Sequence, residues 1–229
     1  MTAEEFLQGK VLLIDKPLEW TSFQAVNKIR WHIKKQFGLK KIKVGHAGTL
    51  DPLATGLLII CTGKMTKQIN EFQAQEKEYT GTFHLGATTP SYDLETEVNE
   101  EYPTAHITSE SIESVTQSFL GEIDQKPPIF SAIKKDGKRL YDIARKGETT
   151  EIQSRKVTIS AFDITRIEMP EVDFRVSCSK GTYIRSLAND FGIALDSGAH
   201  LSALRRTRIG EFSVENALSI DAFIDSLKA

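Results

Sequence analysis

The aspartate at position 51 carries the clearest candidate chemistry in the chain. It lies in the stretch VGHAGTLDPLATGLLIICT, residues 44–62, after a glycine-rich turn and directly before Pro52. The apolar run at residues 57–61 predicts a buried strand behind the aspartate. Catalytic groups often lie on loops that a rigid scaffold positions. The pattern therefore indicates a carboxylate catalyst, although Asp-Pro is also a common turn starter.

Five blocks of the sequence resemble, in the same order, the motifs of one enzyme family. They are VLLIDKPLEWTS (residues 11–22), GHAGTLDPLATGLL (45–58), KEYTGTFHLGATTPSYD (77–93), CSKGTYIRSLANDFG (178–192) and GAHLSALRRTRIG (198–210). The family is TruB, the tRNA pseudouridine synthases that modify the T-loop. Because the blocks span residues 11–210, the resemblance covers nearly the whole chain.

The resemblance implies an isomerase that converts uridine 55 of tRNA to pseudouridine, with Asp51 as the catalytic residue. A carboxylate suits this reaction, because it can attack covalently or stabilise positive charge and move a proton. Attack at the base, attack at the sugar and a glycal route all remain open. The reaction involves no redox step, so we expect no cofactor and no metal.

Further residues receive roles from the resemblance. Tyr79 would stack on the flipped base, and His46 would fill the space that the extruded base leaves. Tyr183 and Leu204 would contact the nucleotide. From the residues alone, the pattern favours a core position in a strand for Tyr79 and a structural hydrogen-bonding role for His46.

The resemblance also supplies charged neighbours for the catalytic aspartate. Arg185 would pair with Asp51 and favour its ionised form. Lys16 would lie near the site, and the loop that contains Asp93 would position site residues. The alternative for Arg185 is a surface position on a helix. Three arginines near the end of the chain could contact phosphate or cover a hairpin: Arg205, Arg206 and Arg208.

Composition sets wider limits on the protein class. The chain has 229 residues, of which 40% are hydrophobic, and this suffices for a core. It has no apolar run long enough to span a membrane and no secretory signal. Its two cysteines, Cys61 and Cys178, are expected to be reduced core residues in a cytoplasmic protein.

Charge is segregated along the chain although the net charge is only −2. Residues 20–50 contain seven basic and no acidic side chains, whereas residues 78–125 contain ten acidic and no basic ones. Residues 126–156 are again mainly basic. Segregated charge is typical of a phosphate-binding face, although solvated helix faces give the same pattern.

Periodicity predicts an α+β protein with one sheet and no regular βαβ repeat. We expect strands at residues 10–15, 57–62, 79–85, 156–168 and 173–178, and a hairpin at 204–212. We expect helices at residues 65–73, 109–120, 140–146, 182–194 and 220–227. A further helix should begin at the capping box Thr21–Gln24, with Phe23 on its apolar face. The resemblance implies the pseudouridine-synthase fold, a central mixed and mainly antiparallel sheet flanked by helices and loops.

Residues 1–229 are predicted to form a single catalytic domain. An insertion at about residues 123–155 interleaves basic with aromatic and aliphatic residues, which suits RNA. We expect no C-terminal PUA domain, because the sequence stops soon after the last motif. We therefore expect a monomer that binds the tRNA T-loop without a guide RNA. The alternative function is a non-catalytic RNA-binding or tRNA-folding module on the same scaffold.

Overall fold

The computed structural model describes residues 1–131, 133–135, 137–148 and 150–228. Its α-helices are α1 (Ala3–Gln8), α2 (Ser22–Gln36), α3 (Ile69–Ala74), α4 (Ser109–Ser118), α5 (Leu140–Ala144), α6 (Ile184–Ala194) and α7 (Ile220–Ser226). Its first seven strands are β1 (Val11–Lys16), β2 (Val44–His46), β3 (Ala54–Thr62), β4 (Lys77–Leu85), β5 (Ala87–Thr88), β6 (Glu100–Glu101) and β7 (Gly121–Gln125). The others are β8 (Lys134–Lys135), β9 (Lys138–Arg139), β10 (Arg155–Glu168), β11 (Glu171–Cys178), β12 (Ala199–Ile209), β13 (Phe212–Ser213) and β14 (Leu218–Ser219). Two 3-10 segments cover Gly63–Gln68 and Val214–Asn216.

The chain divides into two compact units, and the divisions fall inside β4 and β12. The first unit contains residues 1–79 and 204–229, and the second contains residues 80–203. In the first, the strand order is β14-β1-β3-β12, with antiparallel and parallel pairs. In the second, β11 and β7 both pair antiparallel with β10. The predicted α+β class with a mainly antiparallel sheet is confirmed.

Helix α2 covers one face of the sheet in the first unit. As predicted, Thr21 and Gln24 form a capping box at its start. Its buried face carries Ala25, Val26, Ile29 and Ile33, which pack in a core with β1, β3 and α7. The prediction for Phe23 is wrong, because its side chain is 67% exposed. Each residue turns the helix by about 100°, and this places Phe23 outside a face centred on Ser22 and Ile29.

Strand β3 forms the centre of the first unit. It pairs antiparallel with β1, from Val11↔Cys61 to Lys16↔Gly56, and parallel with β12, from Leu204↔Ala54 to Arg206↔Gly56. Gly56 has φ +102°, and a Cβ there would overlap the backbone of Arg206. The close approach of β12 therefore requires glycine at this position.

The second unit is built on the long antiparallel hairpin of β10 and β11. Its core is a cluster of phenylalanines. The rings of Phe83 and Phe174 are stacked with centroids 4.2 Å apart, and Phe191 of α6 lies 5.2 Å from Phe83. Phe162 meets Phe174 edge-on. This packing fixes α6 against the strands of the same unit.

Several predicted elements need correction. The predicted helix at 65–73 is a 3-10 segment followed by α3, and the helix predicted at 109–120 ends at Ser118, so that Gly121 begins the unpredicted strand β7. The hairpin at 204–212 is the end of a longer strand, β12, paired with the short β13. Both cysteines are buried and free, as predicted.

The predicted insertion at residues 123–155 begins and ends inside strands β7 and β10. Between them lie the two-stranded ribbon β8–β9 and helix α5, and positions 132, 136 and 149 are outside the described residues. The backbone N–H groups of Leu140 and Tyr141 donate to the carbonyl oxygens of Ile133 and Ser131, at 2.8 and 3.0 Å. These bonds place α5 against the preceding turn.

Candidate active site

Asp51 lies on the loop that joins β2 to β3. Strand β2 pairs antiparallel with β3, from Val44↔Thr62 to His46↔Ile60, so the chain folds back on itself around this loop. The Asp51 carbonyl accepts a hydrogen bond of 3.1 Å from the backbone N–H of Ala54. The Asp51 residue is half-buried. The carboxylate is therefore carried at the entrance to a buried strand, as the sequence predicts.

Ser22 fixes the residue directly before Asp51. Its Oγ accepts the backbone N–H of Leu50 at 2.8 Å and donates to the Leu50 carbonyl oxygen at 3.1 Å. Ser22 is buried at the first turn of α2, and Leu50 is buried as well. A single hydroxyl therefore satisfies both backbone groups of Leu50 and ties the loop to the start of α2.

Lys16 fixes the residue directly after Asp51. The side chain is fully buried at the end of β1, and its Nζ donates to the carbonyl oxygens of Pro17, Trp20 and Pro52, at 2.8, 2.6 and 3.4 Å. The N–H of Glu19 also donates to the Pro52 carbonyl at 2.8 Å.

The charge of Lys16 is unfavourable in this buried position. Burial lowers the pKa of Lys16 to about 8, the carboxylates of Asp51 and Asp15 oppose this shift, and the Arg206 guanidinium adds to it. The ammonium is an electrostatic neighbour of Asp51 within the first unit.

Arg206 supports the start of the same loop. Its side chain is buried in β12, where Nε donates to the Leu57 carbonyl at 2.8 Å and Nη2 to the Gly48 carbonyl at 3.1 Å. The prediction that Arg206 contacts phosphate or covers a hairpin is therefore wrong. Arginine presents several donors in a fixed plane, so one side chain can join β3 to the loop.

The neighbouring arginines are paired with carboxylates of the first unit. Arg205 donates through two nitrogens to the two carboxylate oxygens of Asp15, at 3.0 and 2.7 Å. Arg208 lies 3.6 and 3.8 Å from the carboxylates of Glu76 and Glu78. Asp15 directly precedes Lys16, so the Arg205 pair also fixes the end of β1.

Three residues with predicted substrate contacts lie in the first unit. His46 ends β2 and is half-buried; burial lowers its pKa and the Arg206 charge adds to this, against a backbone contact with Gly48. Tyr79 in β4 is 9% exposed. Leu204 is half-buried where β12 meets the start of β3, next to Ala54.

Asp93 and Arg185 form an ion pair in the second unit. The Arg185 Nε lies 3.6 Å from the Asp93 carboxylate, and both side chains are buried. Arg185 also donates to the carbonyl oxygens of Ser91 and Phe130, at 3.1 and 2.9 Å. The alternative of a surface position for Arg185 is wrong. Its pairing with Asp51 stays a prediction.

Tyr183 is held through its backbone at the start of α6. Its N–H donates to Oε1 of Gln125 at 2.8 Å, and its carbonyl accepts from Nε2 of Gln125 at 3.0 Å. The Arg155 guanidinium lies 4.7 Å from the centre of the Tyr183 ring and donates to the Gly181 carbonyl. Because α6 begins at Ile184, Tyr183 and Arg185 do not share a face by the alternation of an extended segment.

Sequence reasoning missed three residues that position the site: Ser22, Gln125 and Arg206. Ser22 lies inside a recognised capping box, which already explains a serine there. Gln125 precedes a basic segment and carries no motif of its own. The partners of Ser22, Gln125 and Arg206 lie 28, 58 and 158 residues away in the chain, respectively.

Within the described part of the chain, no group of three or more His, Cys, Asp or Glu side chains is placed to hold a metal ion. No helix among the described residues is long and apolar enough to cross a bilayer.

Known structures share this architecture. The chain has a TM-score of 0.71 and 31% identity to a chain from a crystal structure of a Cbf5-Nop10-Gar1 complex, over 98% of its own length and 56% of that chain. It has a TM-score of 0.69 and 30% identity to a chain from an H/ACA RNP bound to a substrate RNA containing 2′-deoxyuridine. There the match covers 96% of this chain and 53% of the other. The protein thus spans just over half the length of these two chains.

Family models identify the class as a pseudouridylate synthase, an isomerase. Residues 34–184 match the N-terminal domain of the TruB family pseudouridylate synthases, and residues 185–229 match the tRNA pseudouridylate synthase B C-terminal domain. The chain therefore belongs to the TruB family, and the resemblance found in its motifs is confirmed.

Two similar proteins are both described as tRNA pseudouridine synthase B. A protein of Flavobacterium johnsoniae described as tRNA pseudouridine synthase B is 66% identical over all 229 residues and over 100% of both chains. A protein of Phocaeicola vulgatus with the same description is 59% identical over 95% of this chain and 93% of its own.

Proposed function

We propose that this protein converts uridine 55 in the T-loop of tRNA to pseudouridine, with Asp51 as the catalytic carboxylate. The observation that carries the proposal is the way the Asp51 loop is fixed. Ser22 holds Leu50, Lys16 holds Pro52, and Arg206 holds Gly48. Catalysis by a positioned group requires this kind of pre-organisation, whereas a simple turn does not.

The reaction places clear demands on such a site. The bond between N1 and C1′ breaks, the base turns over, and a new bond joins C5 to C1′. The hydrogen on C5 leaves to solvent and N1 gains a proton, so atoms balance without an oxidant or a second substrate. Asp51 would attack the base or the sugar, or remove a sugar proton.

The uridine must leave the stacked T-loop before it can react. Flipping costs a few kcal/mol, which stacking on aromatic side chains offsets by about 1–3 kcal/mol per base. Tyr79 is proposed to stack on the flipped base, and Tyr183 and Leu204 to contact the nucleotide. His46 is proposed to occupy the space that the base leaves; its lowered pKa favours a neutral ring there.

Charged residues complete the proposed site. Lys16 carries its charge close to Asp51 and fixes the loop through Pro52. Arg185 is proposed to pair with Asp51, while Asp93 and the backbone carbonyls of Ser91 and Phe130 orient its guanidinium. The segment at residues 123–155 is proposed to bind the T-arm. The proposal also includes action as a cytoplasmic monomer, without a guide RNA and without a cofactor.

The proposal is tested by mapping the product. The purified protein is incubated with an unmodified tRNA transcript, and pseudouridine is located by carbodiimide modification and primer extension. We expect a single stop at position 55 and none in a transcript with cytidine there. RNA binding without any stop would instead favour the RNA-binding or tRNA-folding module.

A further inference from the structure

A strongly basic groove lies in the first unit, apart from the Asp51 loop. It is a cavity of about 720 Å³ lined by four segments: α1, the end of α2, the loop that follows α2, and the 3-10 segment after β3. We call it the lysine groove. Its basic lining residues are Arg30, Lys34, Lys40, Lys41, Lys43, Lys64 and Lys67. The other lining residues are Leu7, Ile42, Gly63 and Thr66, so none of the lining residues that the structure describes is a carboxylate.

Backbone hydrogen bonds bring these segments together. The N–H of Leu39 donates to the Lys34 carbonyl at 3.0 Å, which returns the loop to the end of α2. The N–H of Gly63 donates to the Lys43 carbonyl at 2.9 Å, which joins the loop to the 3-10 segment. A Cβ at Gly63 would overlap the backbone of Leu7, so α1 packs directly against the groove. These backbone contacts therefore place the basic segments around one cavity.

Eight cations outside the groove form ion pairs with carboxylates among the described residues. Lys10, Arg145, Lys156, Arg205 and Lys228 each have a carboxylate within 4.0 Å. Among the residues that the structure describes, none of the seven groove cations has such a partner. Arg30 and Lys64 donate instead to the neutral side chains of Asn27 and Gln8. In a protein of net charge −2, seven unneutralised cations around one cavity fit a polyanion.

The groove is far from the proposed catalytic residue. Asp51 precedes the first residue of β3, and Gly63 follows the last of its nine residues. A strand rises about 3.3 Å per residue, so the groove lies roughly 25–30 Å from the Asp51 loop. Helix α2 also separates the two sites, because Ser22 at its start contacts Leu50 whereas Lys34 near its end lines the groove. Twelve residues of helix span about 18 Å.

We propose that the lysine groove binds the RNA phosphate backbone at nucleotides remote from the uridine that reacts at Asp51. This inference rests on the proposed function, because it takes the RNA to be a tRNA with its T-loop at Asp51. An RNA in that position reaches the groove only with phosphates about 25–30 Å from the target base. Full-length tRNA therefore gains contacts that a short T-loop hairpin lacks.

Exposed aromatic surface beside the groove fits the same partner. Trp31 is 53% exposed on α2, between Arg30 and the pair Lys34 and Lys35. The ammonium of Lys35 lies 4.8 Å from the centre of the Trp31 ring. Cations and flat side chains on one surface suit phosphate and base contacts respectively.

The test compares two RNAs and two matched variants. The groove variant carries Lys34→Gln and Lys41→Gln; the control carries Arg166→Gln and Arg175→Gln, two arginines of the β10–β11 hairpin in the second unit. Both lose two positive charges. Affinity is measured by filter binding over a series of salt concentrations, for full-length tRNA and for a T-loop hairpin with a five-base-pair stem.

We expect the groove variant alone to bind full-length tRNA about tenfold more weakly at moderate salt, while the hairpin is bound equally by both variants. The slope of log K against log salt is negative, and the groove variant should make it shallower by about 1.8, because two duplex phosphate contacts are lost. Equal losses in both variants, equal losses on both RNAs, or no loss on tRNA would each overturn the proposal. The binding of both variants to anionic phospholipid vesicles is measured by co-sedimentation. A groove variant that loses vesicle binding but keeps its affinity for tRNA would also overturn the proposal. Pseudouridine formation by the wild-type protein in the same preparation tests the proposed function separately.

Discussion

At the scale of single residues, the site depends on side chains that hold the backbone on both sides of Asp51. The sequence identifies Asp51 from its turn and Lys16 from its motif. It does not identify Ser22 or Arg206, because a serine in a capping box and an arginine in an RNA-binding protein already have ordinary explanations. Only the tertiary structure shows that both donate to carbonyls of the same loop.

Ser22→Ala should weaken both the fold and the reaction. It leaves the buried N–H and carbonyl groups of Leu50 without their partner, which costs about 1–3 kcal/mol. Urea unfolding measures the stability, and product formation at saturating tRNA measures turnover. Ser118→Ala, at an exposed position on α4, is the matched control. If Ser22→Ala behaves like this control in both assays, the hydroxyl does not position the loop.

Because of Lys16, we expect alkaline pH to lower turnover but to raise the free energy of unfolding. Its pKa is lowered to about 8, and a neutral amine has only two protons for three carbonyl acceptors. The contact with Pro52 should weaken above pH 8, so turnover should fall. The unfolded chain keeps the ordinary pKa of 10.5 and binds more protons between pH 8 and 10.5. The free energy of unfolding should therefore rise in this window, relative to Lys16→Met.

Turnover and urea unfolding are measured in parallel from pH 7 to about pH 10. The Lys16→Met variant should have low turnover without the decline near pH 8. A decline of the same size in this variant would assign the alkaline limb to another group.

At the scale of elements, α6 begins without a side-chain cap of its own. Tyr183 occupies the N-cap position and makes no side-chain cap bond; Gln125, from the end of β7, binds its backbone instead. The sequence predicts α6 within two residues at its start but not β7. Strand β7 has five residues and, among the strands that the structure describes, pairs with β10 alone, so neither periodicity nor length marks it.

Gln125→Ala should displace the start of α6 and weaken turnover and stability together. Gln125→Glu is more informative, since its carboxylate keeps the acceptor for the Tyr183 N–H but faces the Tyr183 carbonyl without a proton. Protonation restores the donor, so the activity of this variant relative to wild type should rise as pH is lowered toward 5.5. Gln117→Ala, exposed on α4, serves as the control. A ratio to wild type that does not change with pH would contradict the proposed role of Gln125.

At the scale of the whole molecule, the sequence predicts the class and most of the order of elements. The two family models together match residues 34–229, so the TruB assignment extends over most of the chain. The sequence does not predict which charged side chains are buried and hydrogen-bonded within the protein. Arg206 is one of three arginines within residues 205–208, yet it is buried, whereas the lysines after α2 line an open groove. Burial follows from pairing across the sheet, which local composition does not encode.

The residues proposed for the reaction belong to both compact units. Asp51 and Lys16 belong to the first unit, and Arg185, Asp93 and Tyr183 to the second. Substitution of any of these five residues should reduce turnover, whereas only Asp51→Asn should abolish the chemical step.

The most direct test of the central claim is release of tritium from C5-labelled uridine in an unmodified tRNA transcript. Wild type, Asp51→Asn and the exposed control Asp163→Asn are compared at enzyme excess, with tRNA affinity measured for each. We predict stoichiometric release by wild type and the control, and none by Asp51→Asn, with affinities within a few-fold. Release by Asp51→Asn at the wild-type rate would contradict the assignment of Asp51 as the catalytic carboxylate.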